Sequence, residues 1–415
     1  MSPPLAHFRT GDQALVREIN LSVIMNYLRQ YAPISRAALA EMTGLNKTTV
    51  SSLVKELIEH QFVHEVGLNS AHVGRPSVLL ELNPDAGCIV SGEIGVDYIS
   101  VIRANFAAEI VWRHQESIKQ SLGQQEIIRR LLDLFHQSIE SGDGTRGNLL
   151  GLALGVPGLV DLDSGKLLFA PNLKWENVPL RDILSREFGV PVFVDNEANM
   201  AALGEHFFGA AQGHNEVLYI SIGVGLGGGI IQGGRLLRGA TGFAGEFGHM
   251  TMEVNGERCN CGNCGCWETL VSQSALFRHI RRAVEGGQHS VLEDMVKDDW
   301  SQLSVPMIVD AVYAGDRVAI EALEQVGHYL GVGIASLVNS FNPDLVVLGG
   351  ILSLAGGFLL PIIDAELRQH ALRWNVDTVQ VVLSRYGLDA CVMGGMATVY
   401  QAILAQPGSV ERQAV

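Results

Sequence analysis

Twice along this chain three strand-like runs are followed by alternating helix and strand, and few architectures accommodate that order. The first set is "CIVSGEIG", "YISVIRANF" and "EIVWRHQES", then a helical segment near 125–140 and the strand "LLGLALGVPG". A helix near 179–188, the strand "PVFVDN" and the helix "EANMAALGEHFFGAA" complete it. The second set opens at 216 with "EVLYISIG", "GGGIIQ" and "RLLRG". After several helices it ends on "DLVVLGG", a helix, "VQVVLS" and the helix "ACVMGGMATVYQAIL". Two copies of one order imply two related α/β lobes with a cleft between them, a common place for a small ligand.

Residues 17–62 follow a helical pattern instead. Ile19, Val23, Asn26, Tyr27 and Gln30 mark a first helix, broken near Pro33. Ser35 is a good N-cap for a second helix, "RAALAEM", and Gly44 supplies the left-handed residue that ends it. Asn46 can cap a third, "KTTVSSLVKELIEHQ", in which Val50, Leu53, Val54 and Leu57 fall at inward-facing spacing. Thr48, Thr49, Ser51 and Ser52 fall mostly on the other side. Two short helices joined by a Gly-containing turn form a helix-turn-helix, and exposed Lys and hydroxyl side chains suit major-groove reading. "FVHEVG" and "SVLLEL" flank a polar loop with Gly74, Arg75 and Pro76, the pattern of a β-hairpin wing. A small helical domain with a capping hairpin and no DNA fits the same spacing. "NPDAG" (83–87) then reads as a linker.

Charge bears on that choice. The 415-residue chain carries a net −15, which by itself argues against nucleic-acid binding. Residues 1–85, however, hold 7 Lys/Arg and 8 Asp/Glu, so the acidity lies in the remainder. Any DNA-binding element belongs in the near-neutral first segment, and one copy would bind weakly. A homodimer or higher oligomer on a palindromic double-stranded operator is therefore expected. A composition of 47% hydrophobic and 18% charged residues is that of an ordinary globular protein. No secretory pattern opens the chain and no apolar run approaches the roughly 18 residues of a membrane span, so the expected location is the cytoplasm.

"CNCGNCGCWET" (259–269) holds four of the six cysteines. Metal, disulfide and redox chemistry each remain open on composition. "LYISIGVGLGGGII", "GFAGEFGHM" and "CNCGNCGCWE", in this order, resemble the ROK family (repressors, open reading frames and sugar kinases). Its members share a two-lobed sugar-kinase fold related to actin, and its regulators add an N-terminal winged helix. "PISRAALAEMTGLNKTTVSSLVKEL" and "HVGRPSVLLELN" are similar to the winged-helix segment of bacterial xylose repressors. The resemblance runs on through "GVDYISVI", "GVPGLVD", "FAPNLKW" and "VDNEANMAALGE". It implies a winged helix-turn-helix over 1–85 and a first α/β lobe over 86–200, completed by a C-terminal helix from 390–415. A second lobe with the metal site would span 201–389.

Cys259, Cys261 and Cys266 have Cys-x-Cys-x4-Cys spacing, and His249 lies ten residues before them. Four N/S ligands are what a closed structural zinc site requires. A disulfide does not suit a reducing cytoplasm. A redox pair through Cys261 and Cys264 lacks a thioredoxin-like context. In the family pattern Cys-x-Cys-Gly-x-x-Gly-Cys-x-Glu, Cys264 falls on an x position and is no ligand. The resemblance further implies sugar contacts at Asn172, Asn196, Glu197, Glu246, His249 and Glu268, since paired carboxylates and amides read hydroxyls. Lys47, Thr48, Thr49, Ser51 and the wing residue Arg75 are the expected DNA contacts.

Two function classes compete. One is a sugar-responsive repressor, D-xylose being the favoured ligand; the other is a sugar kinase with an accessory DNA-binding domain. Phosphoryl transfer needs a phosphate cradle, a metal and a base. ROK kinases open with Asp-Ile-Gly-Gly-Thr-Lys, where this chain has Glu93-Ile94-Gly95-Val96-Asp97-Tyr98. Val96 is branched, Asp97 adds negative charge and Tyr98 removes the cation. The second cradle's Gly-Thr-Gly is Gly223-Val224-Gly225, and the family's catalytic Asp is Glu197. A carboxylate misplaced by about 1 Å can cost roughly 100-fold. The expectation is a regulator with no enzyme activity.

Overall fold

The computed structural model of the chain describes residues 13–69, 77–118, 122–141, 149–297 and 299–405. Helix α1 (Gln13–Tyr31) buries Leu21, Ile24, Met25 and Leu28. Val23, Asn26 and Tyr27, which mark the helix in the sequence, lie beside that stripe and are half-buried, and Gln30 is exposed at its edge. The stripe is all apolar, which keeps the amides of Asn26 and Gln30 out of the core, where unpaired polar groups are costly. After β1 (Ile34–Ser35), the Ser35 hydroxyl accepts the Ala38 N–H at 3.2 Å and starts α2 (Arg36–Thr43). Gly44, at φ 71°, ends it. Asn46 accepts the Thr49 N–H at 2.8 Å and starts α3 (Lys47–Glu59), which buries Val50, Leu53, Val54 and Leu57. Strands β2 (Val63–Asn69) and β3 (Ser77–Leu82) form the hairpin, and β1 pairs with β3, giving the order β1-β3-β2.

The segment expected to be a linker is a packed turn. Asn83 donates to the Gln61 carbonyl at 2.7 Å, and the Phe106 N–H reaches the Pro84 carbonyl at 3.2 Å. Phe62, Phe106 and Tyr400 stack in series, with centroids 5.1 and 5.4 Å apart. The N-terminal core thereby continues into the lobe behind it. Local composition could not show this, because the covering rings come from three distant segments.

The next layer comprises β4 (Cys88–Ile94), β5 (Tyr98–Asn105), β6 (Ile110–Ser117), α4 (Gln124–Glu140) and β7 (Leu149–Val156). A side sheet of β8 (Leu159–Asp161), β9 (Lys166–Ala170) and β10 (Trp175–Val178) follows, then α5 (Leu180–Phe188), β11 (Val192–Asn196) and α6 (Glu197–Phe208). The second set is β12 (Val217–Ile222), β13 (Leu226–Gln232) and β14 (Arg235–Leu236). Helices α7 (Glu268–Val271), α8 (Gln273–Glu285), α9 (Val291–Val296), α10 (Val305–Tyr313) and α11 (Arg317–Phe341) separate it from β15 (Leu345–Gly349). Then come α12 (Gly356–His370), α13 (Arg373–Val376), β16 (Gln380–Leu383) and α14 (Ala390–Ala405).

The two large sheets have the orders β11-β7-β4-β5-β6 and β14-β13-β12-β15-β16. In each, a three-strand antiparallel meander extends by two parallel strands, β4 to β7 to β11 and β12 to β15 to β16. This is the repeated order of the sequence, made into two sheets. Helix α6 runs unbroken across the expected boundary at residue 200 and packs on α14, β12 and β13, while α14 also packs on β4 and β7 and reaches α1.

Candidate sugar cleft, metal cluster and DNA-facing helix

A cleft of about 330 Å³ opens between the two sheets, a volume suited to a small ligand. Asn172, Asn196, Glu197, Glu246, His249 and Glu268 all line it. Asn172 comes from the loop after β9, and Asn196 and Glu197 from the junction of β11 with α6. Glu246 and His249 come from the loop after β14, and Glu268 begins α7. Among the described residues no lysine or arginine lines the cleft, whereas Glu93 and Asp97 add two further carboxyl groups.

The side chains are not equally available. Asn196 Oδ1 caps α6 by accepting the N–H groups of Ala198 and Asn199 at 2.9 and 3.1 Å. Its Nδ2 donates to the Gly158 carbonyl at 3.1 Å, leaving one N–H for a ligand. Glu197 is half-buried with its carboxyl enclosed, and desolvation first, then the nearby Glu93 and Glu246 charges, push that carboxyl well above the usual range. Burial also raises Glu246. Asp195, behind them, pairs with Arg238 at 2.6 Å.

The loop over Gly95 is closed by its own side chain. The Tyr98 ring lies where a Cβ on Gly95 would clash, and its hydroxyl donates to Glu93 Oε1 at 2.5 Å. Sequence reading took Tyr98 as a lost cation; where its ring goes was not legible, because spacing does not encode side-chain direction across a turn.

His249, Cys259, Cys261 and Cys266 converge, with their ligand atoms all within 4.8 Å of one another. Cys259 Sγ lies 3.7 Å from His249 Nδ1, and Cys261 Sγ lies 3.7 Å from Cys266 Sγ. Those separations fit the edges of a tetrahedron about an ion with metal–sulfur bonds of about 2.3 Å. Burial raises the Cys259 and Cys266 thiols, so a thiolate here needs a cation beside it. Cys264 is exposed and stands outside the group. The cluster touches the cleft twice: Cys259 Sγ donates to Glu268 Oε1 at 2.7 Å, and His249 Nε2 faces Glu246 at 3.8 Å. One imidazole nitrogen faces the cluster and the other the cleft. A further contact escaped sequence reading: Asn260 Nδ2 donates to Asn172 Oδ1 at 2.9 Å.

On α3, Lys47, Thr48 and Ser51 are exposed and Thr49 is half-buried, its N–H being spent on the Asn46 cap. Arg75 lies outside the described residues.

Comparison with known proteins places these features together. The ROK family description matches residues 89–402, and a winged helix-turn-helix DNA-binding description matches residues 18–63. The chain is 37% identical to the xylose repressor of Caldicellulosiruptor bescii, over 96% of this chain and 99% of that one. The crystal structure of a ROK family transcriptional regulator, a homologue of the Escherichia coli MLC protein, superposes with TM-score 0.82 at 30% identity. That match covers 96% of this chain and 99% of the other. A ROK family glucokinase from Streptomyces griseus, solved with glucose and AMPPNP, superposes with TM-score 0.69 at 31% identity, covering 74% and 98%.

Proposed function

The chain belongs to the ROK family and carries a winged helix-turn-helix ahead of the family fold, and from that premise we propose that it is a transcriptional repressor released from its operator by a free sugar, D-xylose. The single observation that carries the reading is helix α6. Its first residues, Asn196 and Glu197, line the cleft, and at its other end the Phe207 carbonyl accepts a hydrogen bond from Arg29 of α1 at 3.0 Å. One element thus touches both the ligand site and the DNA-binding unit. The xylose repressor that matches end to end supports the choice of sugar. Among the described residues no lysine or arginine lines the cleft to balance a phosphate's charge, which favours an uncharged sugar over a phosphate ester.

The same residues speak against phosphoryl transfer. Val96, Asp97 and Tyr98 offer no cation to a nucleotide, and the Tyr98 ring covers the Gly95 backbone. The glucokinase likeness is then a likeness of fold and sugar cleft. Zinc is the metal that three thiols and an imidazole fit best. Bound by His249, Cys259, Cys261 and Cys266, it would supply rigidity, holding His249 and Glu268 at the cleft wall. Lys47, Thr48, Thr49 and Ser51 would face the major groove, and Arg75 the minor groove. Two copies of the near-neutral winged helix would bind half-sites separated by whole helical turns. The protein would work in the cytoplasm.

The test is an anisotropy titration of the operator complex with free sugars. Operator affinity should fall roughly 5- to 150-fold at saturating D-xylose, the usual range of coupling between sites. No change with any pentose or hexose at millimolar concentration, or a far stronger effect of a sugar phosphate, would show the reading to be wrong.

A further inference from the structure

The cleft is rich in carboxyl groups, and its neutral donors are amides, hydroxyls and the His249 ring. A sugar hydroxyl that gives its proton to Glu197, Glu246 or Glu268 still has lone pairs that need a donor. Among the described residues no lysine or arginine lines the site, and Asn196 has one N–H left after capping α6 and holding Gly158. The side chain of Asn172 adds a donor beside the Glu268 carboxyl only if its N–H pair faces inward. An amide is nearly symmetric in shape, so an unheld Asn172 would present either end.

Two contacts fix its direction. A methyl group placed on Gly225 would lie 3.1 Å from Asn172 Nδ2 and 2.8 Å from Glu268 Oε2, so the amide nitrogen and a carboxylate oxygen border the same small space. On the outer side, Asn260 Nδ2 donates to Asn172 Oδ1 at 2.9 Å. Asn260 sits between Cys259 and Cys261, so its backbone is held by residues of the metal cluster on both sides. We propose that Asn260 is a positioning residue for sugar recognition: by donating to Asn172 Oδ1 across the cleft mouth, it turns the Asn172 N–H pair inward as a donor to a sugar oxygen. The proposal rests on the reading that a free sugar occupies this cleft. It adds a residue outside the cleft lining, acting through another, and it ties the metal loop of one lobe to a ligand-reading side chain of the other.

The side chain at 260 then decides which end of Asn172 the sugar meets. Asn260→Ala removes the clamp and leaves the amide free to turn. Asn260→Asp can only accept, so it draws the Asn172 N–H pair outward and presents Oδ1 to the sugar. The experiment is calorimetric titration of the full-length protein with a panel of free pentoses and hexoses, with zinc content measured on the same samples. The variants are Asn260→Ala, Asn260→Asp, Asn172→Ala and the double alanine. Losing one neutral hydrogen bond corresponds to about 3- to 10-fold weaker binding, and Asn260→Asp should lose more than Asn260→Ala. In the Asn172→Ala background, Asn260→Ala should change affinity by less than about twofold, since the two residues act as one unit. Sugar affinity within about twofold of wild type in both single variants at 260 overturns the proposal. So does a loss that persists without Asn172, or one that appears only together with loss of zinc. Wild-type protein that binds no sugar in the panel overturns the proposed function itself, and that result is seen before any variant is compared.

Discussion

Glu93 lies buried and Glu197 half-buried at the floor of the cleft, each with one enclosed carboxyl oxygen that no hydrogen bond satisfies among the described residues. Burial lifts the Glu93 carboxyl to about 7, against the opposing pull of its Tyr98 hydrogen bond, with Cys391, Asp389 and Glu197 as the nearby acidic groups. The neutral form is thus the one the fold prefers. An unfolded glutamate titrates near 4.3, so the stabilisation is fully present below that pH, declines as pH rises through about 7, and changes little beyond. Glu93→Gln keeps an acceptor for Tyr98 and removes the titration. The wild type should lose stability between pH 5 and 8, and the variant should lose less, ending up to about 3 kcal/mol ahead at pH 8. Urea unfolding across that range measures it; parallel curves for the two proteins would show that Glu93 is already ionised in the fold. The sequence displayed both glutamates and Tyr98 but not that they meet, because contact across a buried turn leaves no mark in spacing.

Elements were more legible than what packs on them. The caps at Ser35 and Asn46, the inward stripe of α3 and the repeated order of strands and helices along the chain all follow from local chemistry and periodicity, which act within a few residues. The segment 83–87, which reads as a linker, is a packed turn, since its packing depends on what reaches it from far along the chain. The cysteine turn shows the same division. Its ligand spacing is local and the four side chains do converge, yet the Asn260 contact with Asn172 joins residues 88 positions apart. Cys264 tests the assignment at this scale. Cys259→Ser should lower zinc content well below one per chain and reduce thermal stability, because a buried ligand is lost from a four-donor site. Cys264→Ser should retain one zinc per chain, since its thiol is exposed and outside the cluster. Elemental analysis of protein purified without chelator decides both; equal zinc loss in the two variants would shift the site onto Cys264.

Across the whole molecule, the question is how a ligand in the cleft could be felt at the operator. A ligand shifts an equilibrium only through its different affinity for two states, so some rigid part must join the sites. Helix α6 has 12 residues and spans about 18 Å. It is buried along most of its length, and Glu205 near its end is locked by Ser384 Oγ and the N–H groups of Ala210, Arg385 and Tyr386. Its C-terminal carbonyls carry partial negative charge. Arg29 of α1 sits there, 3.0 Å from the Phe207 carbonyl and over the Phe207 and Phe208 rings at 4.7 and 5.5 Å. A small movement of α6 on sugar binding would therefore pull on α1, which packs on both α2 and α3. Arg29→Met keeps an apolar stem but removes the charge and the hydrogen bond. The Phe62–Phe106–Tyr400 stack remains, so the DNA-binding unit should stay attached and the operator should still be bound. Sugar affinity should change little, because Arg29 lies far along α6 from the cleft. What should fall is the ratio of operator affinities without and with sugar, from the roughly 5- to 150-fold of ordinary coupling to within about threefold. Anisotropy titrations of both proteins, with and without saturating D-xylose, give that ratio directly. If it is unchanged in Arg29→Met while sugar still binds, the signal does not travel through this contact but through the packing of α14 on α1, the 83–87 turn or the aromatic stack.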